Sequence, residues 1–451
     1  MKKLPFFAAL VLPALTPAAE IPAESARVAA RRSGTLLTIE VHDAGNHSWR
    51  LQSATDLNKW TNEGSYRVYN GLLRIAVPAD GSGRFYRLDS DQAGSVLSSS
   101  NQALALPASP FNYANPVLPA HLLNPLIQGQ DNTPASNPTT NAGAALGRVL
   151  FHDKRLSANQ TISCSSCHQA AHGFSDPRRF SVGFEGGLTG RNSMGLTNAR
   201  YYLRGNFFWD ERAATLEDQV LIPIQNEVEM GMTLELLVTR ISAEPFYAEL
   251  FTSAFGRPTV TSQRISRALA QFVRSIASGN SKYDQGVPVN FSNFTVQENQ
   301  GRQIFQNQGN CVACHGSDNF VPGNNIFNNG LENPYIDKGV GEITGLSADE
   351  GLFKVPSLRN VALTAPYMHD GRFATLEEVV EFYNSGVVNH PNLSPPLRLP
   401  PGPPGSPPLG PRRLNLTDSQ KAALVAFLRT LTDISVTTDP KFSDPFRYTA
   451  P

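Results

Sequence analysis

The chain has 451 residues, in which 38 lysines and arginines balance 38 aspartates and glutamates, and it contains only four cysteines. Zero formal net charge argues against nucleic acid or an anionic membrane surface as a partner. Four cysteines are too few to staple a chain of this length with disulfide bonds. At ~100–200 residues per domain, the length predicts several domains with cores of their own.

The N-terminus has the pattern of a secretory signal. Lys2 and Lys3 precede an apolar stretch over residues 4–15, and small residues follow it. Such a stretch is too short to span a membrane, so we interpret residues 1–19 as a signal peptide. No later stretch has the length of an apolar membrane span. We therefore expect an exported, soluble protein, periplasmic or otherwise secreted, with no membrane span.

Short runs of alternating apolar and polar residues follow the signal. They are broken by turn sequences and include residues 35–41, 72–77 and 85–88. This period of two predicts strands, and residues 20–90 are expected to form a small all-β, sandwich-like domain. Its expected role is binding or spacing, because nothing in it has a catalytic pattern. Residues 91–104 are small and polar, which is typical of a linker.

Helical spacing dominates after residue 104. The predicted helices cover residues 145–151, 216–222, 234–242, 262–277, 297–306, 376–383 and 418–431. Thr417 is the expected N-cap of the last one. Residues 391–411 are so rich in proline that they exclude a helix or a central strand. We expect an exposed insertion in polyproline-like conformation there.

All four cysteines lie in two motifs, CSSCH at residues 164–168 and CVACH at residues 311–315. Two thiols at this spacing, followed directly by histidine, form the attachment motif of c-type haem. The thiols bind one haem edge and the histidine ligates the iron. Zinc or redox disulfides do not explain a histidine after both pairs, and structural disulfides in such short loops are strained. The sequence predicts two covalent haems, held by Cys164, Cys167, His168, Cys311, Cys314 and His315.

Longer stretches extend these motifs, among them LGRVLFHDKRLSANQTISCSSCH, FFWDERAATLEDQVLIPIQNEVEM and GLFKVPSLRNVALTAPYMHDGRFATLEEVVEFYNSG. Over residues 105–435 the sequence resembles the bacterial di-haem cytochrome c peroxidase superfamily, which includes MauG. The resemblance implies a mainly α fold with two c-type cytochrome domains. A peroxidatic haem domain is then expected at residues 105–285 and a second haem domain at residues 286–435, before a tail at residues 436–451.

The resemblance also implies roles for three residues of the first domain. Glu229 matches the glutamate that acts in cleavage of the peroxide O–O bond, and Gln219 matches the glutamine beside it. A carboxylate over an open haem face can carry a proton from one peroxide oxygen to the other. Trp209 matches the tryptophan between the two haems, an electron relay. The alternatives are a surface carboxylate on a loop for Glu229 and a core residue for Trp209.

One departure from the family concerns the open site of the first haem. A histidine that blocks this site at rest in many of these peroxidases falls on Phe184 here. Phenylalanine cannot ligate iron, so the first haem is expected to be five-coordinate without prior reduction. His172 is the alternative distal ligand, although its register is wrong.

A second departure concerns the other haem. Typical peroxidases have an axial methionine at the position of Tyr383. MauG has a tyrosine there, as this chain does. A phenolate ligand should lower the reduction potential of that haem. Met368, slightly earlier in the chain, is the rival ligand. The resemblance further implies a calcium ion bound by Asn192, Thr364 and Pro366, through oxygen ligands that suit a hard cation.

The expected function is that of an exported di-haem peroxidase. Hydrogen peroxide is reduced at the first haem, and a small redox protein, a cytochrome c or a cupredoxin, supplies electrons through the second. A MauG-like oxidase that modifies a partner protein is the alternative suggested by Tyr383. An electron-transfer cytochrome without catalysis would need a sixth ligand on both irons, against which Phe184 argues. The resemblance implies a homodimer as well, although the sequence shows no interface.

Overall fold

A computed structural model describes residues 104–400 and 410–447, together with the backbone of eight strands between residues 8 and 91. The chain divides into two compact units. One comprises Met1–Phe111, Glu244–Tyr247 and Ile434–Pro451, and the other comprises Asn112–Ala243 and Ala248–Asp433.

The strands of the first unit form two antiparallel four-stranded sheets. Their orders are β1-β8-β5-β6 and β2-β3-β4-β7. The strands are β1 (Ala8–Leu10), β2 (Ile21–Pro22), β3 (Arg27–Ser33), β4 (Leu36–His42), β5 (Ser48–Asp56), β6 (Lys59–Arg67), β7 (Leu72–Pro78) and β8 (Phe85–Asp91). Ile39 is buried and lies opposite Ala30 and Ile75 on the neighbouring strands.

A sandwich-like domain at residues 20–90 stays a prediction, because Ile39 is the one side chain of these strands that the structure describes. The predicted linker lies outside the described residues except at its two ends. The predicted signal peptide also lies outside them, apart from the strand Ala8–Leu10. Of the predicted tail, the part up to residue 447 is described and contains a short helix, Ser435–Thr438.

The second unit is mainly helical, with long loops. Its helices, including one that begins in the first unit, are α1 (Pro125–Gln128), α2 (Asn141–His152), α3 (Cys164–Cys167), α4 (Leu216–Gln219), α5 (Ile222–Gln225), α6 (Leu234–Ser242), α7 (Pro245–Phe255), α8 (Ser262–Ser275), α9 (Lys282–Gly286), α10 (Val296–Gln306), α11 (Val340–Thr344), α12 (Leu376–Glu381) and α13 (Asp418–Arg429). The mainly α prediction for this part of the chain is confirmed.

Two halves of the second unit repeat one arrangement. A long helix (α2 or α10) precedes a CxxCH motif, and a later long helix (α8 or α13) packs across it. In both helix pairs, a glycine lies at the point where the two helices come closest. A Cβ on Gly147 would lie 2.0 Å from the carbonyl oxygen of Ala268, and one on Gly301 would lie 1.9 Å from that of Ala423. This repeat fits the two helical haem domains that the sequence leads us to expect.

A turn between the haem motif and the closing helix is repeated as well. It is closed by a bridge between Phe207 and Ala213 in the first half and between Tyr367 and Phe373 in the second. A short helix then begins, capped by a threonine side chain in both halves (α4 and α12). This turn carries Trp209 in the first half.

The observed helices correct some predicted bounds. The segment at residues 216–222 is two short helices rather than one, because Pro223 at the second position of α5 cannot continue α4. The helix predicted to end at residue 383 ends at Glu381 and continues as a π-helical turn, Phe382–Gly386. The Thr417 cap is confirmed: its side chain accepts from the backbone N–H of Gln420, whose side chain accepts from that of Thr417.

The prediction of an exposed polyproline segment at residues 391–411 is wrong for the part of it that the structure describes. Leu393 is buried in a cluster with Phe382, and Pro395–Leu397 form a 3₁₀ turn. Arg398 pairs with Pro411 in an isolated bridge. Burial of the leucine anchors the segment to the second half. Residues 401–409 lie outside the described residues.

Candidate haem and peroxide site

Each CxxCH motif borders a cavity of the second unit. Cys167 and His168 line the first cavity, and a smaller cavity shares them and adds Cys164. Cys311, Cys314 and His315 line the second cavity. None of the four cysteines forms a disulfide bond. Both cavities therefore place two thiols and one histidine at one wall, as a c-type haem requires.

The two histidines are oriented alike by the backbone. Nδ1 of His168 lies 2.9 Å from the carbonyl oxygen of Phe174, and Nδ1 of His315 lies 3.0 Å from that of Phe320. A carbonyl can only accept, so Nδ1 carries the proton and Nε2 is left as the ligand atom. Burial lowers the pKa of both imidazoles, that of His315 to about 4. Neutral imidazole is the form that binds iron, so both residues fit the group.

The structure brings Gln219 and Glu229 together with His168 in the first cavity. Gln219 is the last residue of α4, and Glu229 follows α5 in a turn held by Asn226, whose side chain accepts from the backbone N–H of Glu229 at 3.0 Å. Burial raises the pKa of the Glu229 carboxyl, and the Arg212 guanidinium partly opposes this. A carboxyl of this kind can take up a proton and release it again beside the reacting group.

Neither predicted candidate for the open iron position lies at this cavity. The Phe184 ring packs on Gly231, whose Cβ would lie 2.4 Å from that ring, and neither Phe184 nor His172 lines the first cavity. Among the described residues that line it, His168 is the only histidine. The assignment of the blocking position to Phe184, and with it the five-coordinate first haem, stays a prediction; the Phe184 backbone N–H donates to the carbonyl oxygen of Glu229 at 3.0 Å.

Trp209 lines both cavities. Its indole Nε1 donates to the carbonyl oxygen of Asn192 at 2.9 Å, and its own carbonyl oxygen accepts from the backbone N–H of Lys354 at 2.8 Å. Both contacts fix the ring in the wall that the two cavities share. This is the location expected of a relay between two haems.

Tyr383 and Met368 both line the second cavity, together with Asn329. The Asn329 side chain donates to the Met368 sulfur at 3.5 Å. Burial raises the pKa of Tyr383, so its phenol is protonated unless a cation binds it. The two rival ligands lie at one site, and Tyr383 stays the predicted one.

The three predicted calcium ligands also line the second cavity. They are Asn192, Thr364 and Pro366. The Asn192 backbone N–H donates to the carbonyl oxygen of His369 at 2.7 Å, which ties this segment to the second half. Within the described residues, no group of three or more His, Cys, Asp or Glu side chains could hold a metal ion. The site would have to use amide and backbone oxygens.

Sequence reasoning missed Arg212 and Lys354 among the charged residues at these cavities, and Glu211, which precedes Arg212 in the chain. Arg212 lines the first cavity and stacks 3.6 Å over the Phe208 ring. Lys354 lines both cavities. Aligning residues 207–218 with residues 367–378 would have shown Glu211 and Arg212 on a repeated turn. The position of Lys354 has no such signal in the sequence.

Comparisons with known proteins identify the family of the chain. The family model described as di-haem cytochrome c peroxidase matches residues 141–289, and the cytochrome c model matches residues 299–432. The methylamine utilization protein MauG of Methylophilus methylotrophus is 31% identical over 300 residues, which cover 66% of this chain and 84% of that protein. The cytochrome c551 peroxidase of Nitrosomonas europaea is 38% identical over 242 residues, covering 53% of this chain and 71% of that protein.

The solved structures agree as well. The crystal structure of a MauG-like protein associated with microbial copper homeostasis is 34% identical, with a TM-score of 0.60, and covers 70% of this chain and 96% of that one. The chain belongs to the di-haem cytochrome c peroxidase and MauG family. It is an oxidoreductase of the cytochrome c peroxidase type with haem c as cofactor. Among the described residues, no helix has the length and apolar character needed to cross a membrane.

Proposed function

We propose that the protein is an exported peroxidase that reduces hydrogen peroxide at the first haem, with electrons supplied through the second. The observation that carries this proposal is Glu229, a carboxyl with a raised pKa in the same cavity as Gln219 and the haem ligand His168. An electron carrier has no need of a proton-transfer group at an iron site. Relatives named as peroxidases and as MauG both match the chain, so the alternative of partner-protein oxidation is not favoured.

When bound, the two haems supply the site that binds peroxide and the electrons that reduce it. The residues of the chain supply proton transfer and positioning. Glu229 takes the proton from one peroxide oxygen and returns it to the other, which then leaves as water. Gln219 orients the peroxide by hydrogen bonding. Trp209, held by Asn192 and Lys354, provides the electron path between the cavities.

The test is Glu229→Gln in the di-haem protein. The amide keeps the shape and cannot carry the proton, so peroxide turnover should fall by roughly 10²–10⁴-fold. Glu227→Gln is the matched control, because Glu227 is exposed on the same turn and lines neither cavity. Full turnover in Glu229→Gln with both haems intact would show that this mechanism is wrong.

Three finer statements belong to the same proposal. A small cytochrome c or cupredoxin is the electron donor, the protein acts in the periplasm after export, and a calcium ion binds Asn192, Thr364 and Pro366. The oxygen-donor character of those three residues, together with their presence in one cavity wall, supports the ion. Metal analysis of the purified protein and of an Asn192→Ala variant tests it: calcium should be present in the first and lost in the second.

A further inference from the structure

The turn that carries Trp209 differs from its repeat at a constrained position. Glu211 has a φ of +56°, in the left-handed region, and the corresponding residue of the second half is Gly371, with a φ of +63°. Glycine adopts this conformation freely, whereas a residue with a Cβ adopts it only at a conformational cost. The first half thus keeps a carboxylate where the backbone favours glycine. Such a local outlier points to a role for the side chain.

The Glu211 carboxylate is bound by two side chains. The Tyr202 hydroxyl donates to Oε1 at 2.5 Å, and Nε of Arg204 donates to Oε2 at 2.7 Å. Tyr202 and Glu211 are only 2% and 8% exposed. Tyr202 also lines the first cavity, as do His168 and Trp209. A buried phenol next to the predicted haem therefore has a carboxylate placed to take its proton.

Burial and the Glu211 carboxylate both raise the pKa of Tyr202, so the phenol is protonated at rest. On the ring face, Lys354 places its ammonium nitrogen 3.6 Å from the ring centroid and donates to the carbonyl oxygen of Asn206 at 2.6 Å. A cation there disfavours a positively charged ring. An electron can then leave Tyr202 only together with the phenolic proton, and Glu211 is the acceptor in contact.

We propose that Tyr202 is a proton-coupled redox residue of the first haem site, which gives one electron to that site and its phenolic proton to Glu211. The inference rests on the proposed function, because peroxide is the oxidant: its reduction to water removes two electrons from the haem pair. Tyr202 returns one of them by breaking its O–H bond, which leaves a neutral phenoxyl radical and a protonated Glu211. The external donor later returns the electron, and Glu211 returns the proton. The residue stores one oxidising equivalent while no donor is bound.

The test is paramagnetic resonance of the di-haem protein, frozen after one equivalent of peroxide without a donor. We choose pH 6, because burial lowers the pKa of Lys354 to about 7 and the ammonium is then mostly protonated. An organic radical is expected, with a line shape that narrows when the protein contains ring-deuterated tyrosine. The signal should be lost in Tyr202→Phe and retained in Tyr201→Phe. Tyr201 is the matched control, being adjacent and also 2% exposed.

A second variant separates this role from a structural one. Glu211→Gly introduces the residue found at the repeated position and relieves the left-handed backbone. It should keep both haems, as judged by their absorption spectrum, and still lose the radical, because the proton acceptor is gone. Retention of the tyrosine radical in either Glu211→Gly or Tyr202→Phe would overturn the proposal.

Failure of the inference and failure of the proposed function are distinguishable. If peroxide changes the haem absorption spectrum but no tyrosine radical forms, Tyr202 is not a redox residue and the peroxidase proposal stands. If the spectrum does not change, the peroxidase proposal fails, and flash photo-oxidation with a ruthenium polypyridyl sensitiser and a sacrificial acceptor still tests Tyr202. A tyrosine radical that forms in the wild-type protein but not in Tyr202→Phe supports the inference. Equal radical yields in the wild-type and Tyr202→Phe proteins overturn it.

Discussion

At the first cavity, burial sets the protonation state of each ligand and catalytic side chain. It raises the pKa of Cys164 and Cys167 to about 12, raises that of Glu229 and lowers that of His168. Each shift favours the neutral form, because a low-dielectric site disfavours charge. Arg212 is the charged side chain at this cavity that favours ionisation of Glu229. The His168 imidazole is therefore in the neutral form that can bind iron, and the Glu229 carboxyl remains able to titrate.

The raised pKa of Glu229 predicts the pH dependence of peroxide reduction. Glu229 must be ionised to take the first proton, so kcat/KM should fall as the pH drops through its pKa. Because burial raises this pKa, the acid limb should lie above the ~4.3 of an ordinary glutamate. The limb should remain in Glu227→Gln and disappear, at a low residual rate, in Glu229→Gln. A wild-type profile that is flat down to pH ~4.3 would contradict the assignment.

The axial ligand of the second haem is decided by a pair of variants. With Tyr383 as ligand, Tyr383→Phe should change the spin state of the second haem, whereas Met368→Leu should leave it unchanged. Tyr383→Met should raise the reduction potential of that haem, because a thioether favours reduced iron more than a phenolate does. Redox titration followed by absorption measures both effects. The reverse pattern, with a change in Met368→Leu alone, would assign Met368.

At the scale of secondary-structure elements, the two repeated helix crossings depend on glycines. A Cβ on Gly301 would meet the backbone carbonyl of Ala423 on α13, which no side-chain rotation can relieve. Gly301→Ala should therefore lower the free energy of unfolding by about 1–3 kcal/mol and lower the melting temperature. Gly190→Ala is the control, since nothing lies within 4 Å of its Cβ position. Equal melting of the Gly301→Ala and wild-type proteins would mean that the helices are not in such close contact.

The helices show how far the sequence could predict the fold. Long amphipathic helices such as α8 and α13 were predicted within two residues at each end, because their apolar spacing and threonine caps are local signals. The helix α7 (Pro245–Phe255) was missed, since its apolar and aromatic residues show weak helical spacing. The proline-rich insertion was predicted as exposed because composition carries no information on the burial of Leu393.

The candidate site was predictable in a similar, partial way. The haem ligands follow from the motifs, and Glu229, Gln219 and Trp209 follow from the family resemblance. The contact of Tyr202 with Glu211 could not be predicted, because it depends on a left-handed turn at a residue other than glycine. The ring contact of Lys354 joins residues far apart in the chain, and no local pattern encodes it.

At the scale of the second unit, one buried carboxylate joins three distant segments. Asp284 on α9 accepts from Nη1 and Nη2 of Arg359 at 2.9 Å each and lies 2.8 Å from Nε2 of His121. Asp284 and Arg359 have side chains only 2% and 1% exposed. These contacts lower the pKa of Asp284, against the effect of its burial. Arg359 also lines the second cavity, so the pair supports the wall of the predicted haem site.

The depressed pKa of Asp284 predicts how stability changes in acid. Its folded pKa lies below the unfolded value of ~3.9, so the stabilisation is fully present above that value and is lost as the pH falls toward the folded pKa. Asp284→Asn leaves Arg359 buried without its partner and should cost about 3–5 kcal/mol at neutral pH. The difference in denaturation midpoint between the wild-type and Asp284→Asn proteins should stay constant from pH 7 to about 5. Below about pH 5 this difference should become smaller. Asp318→Asn is the control, because Arg359 contacts only the backbone carbonyl of that residue. A gap that is independent of pH down to about 2 would show that the ion pair is not what Asp284 contributes.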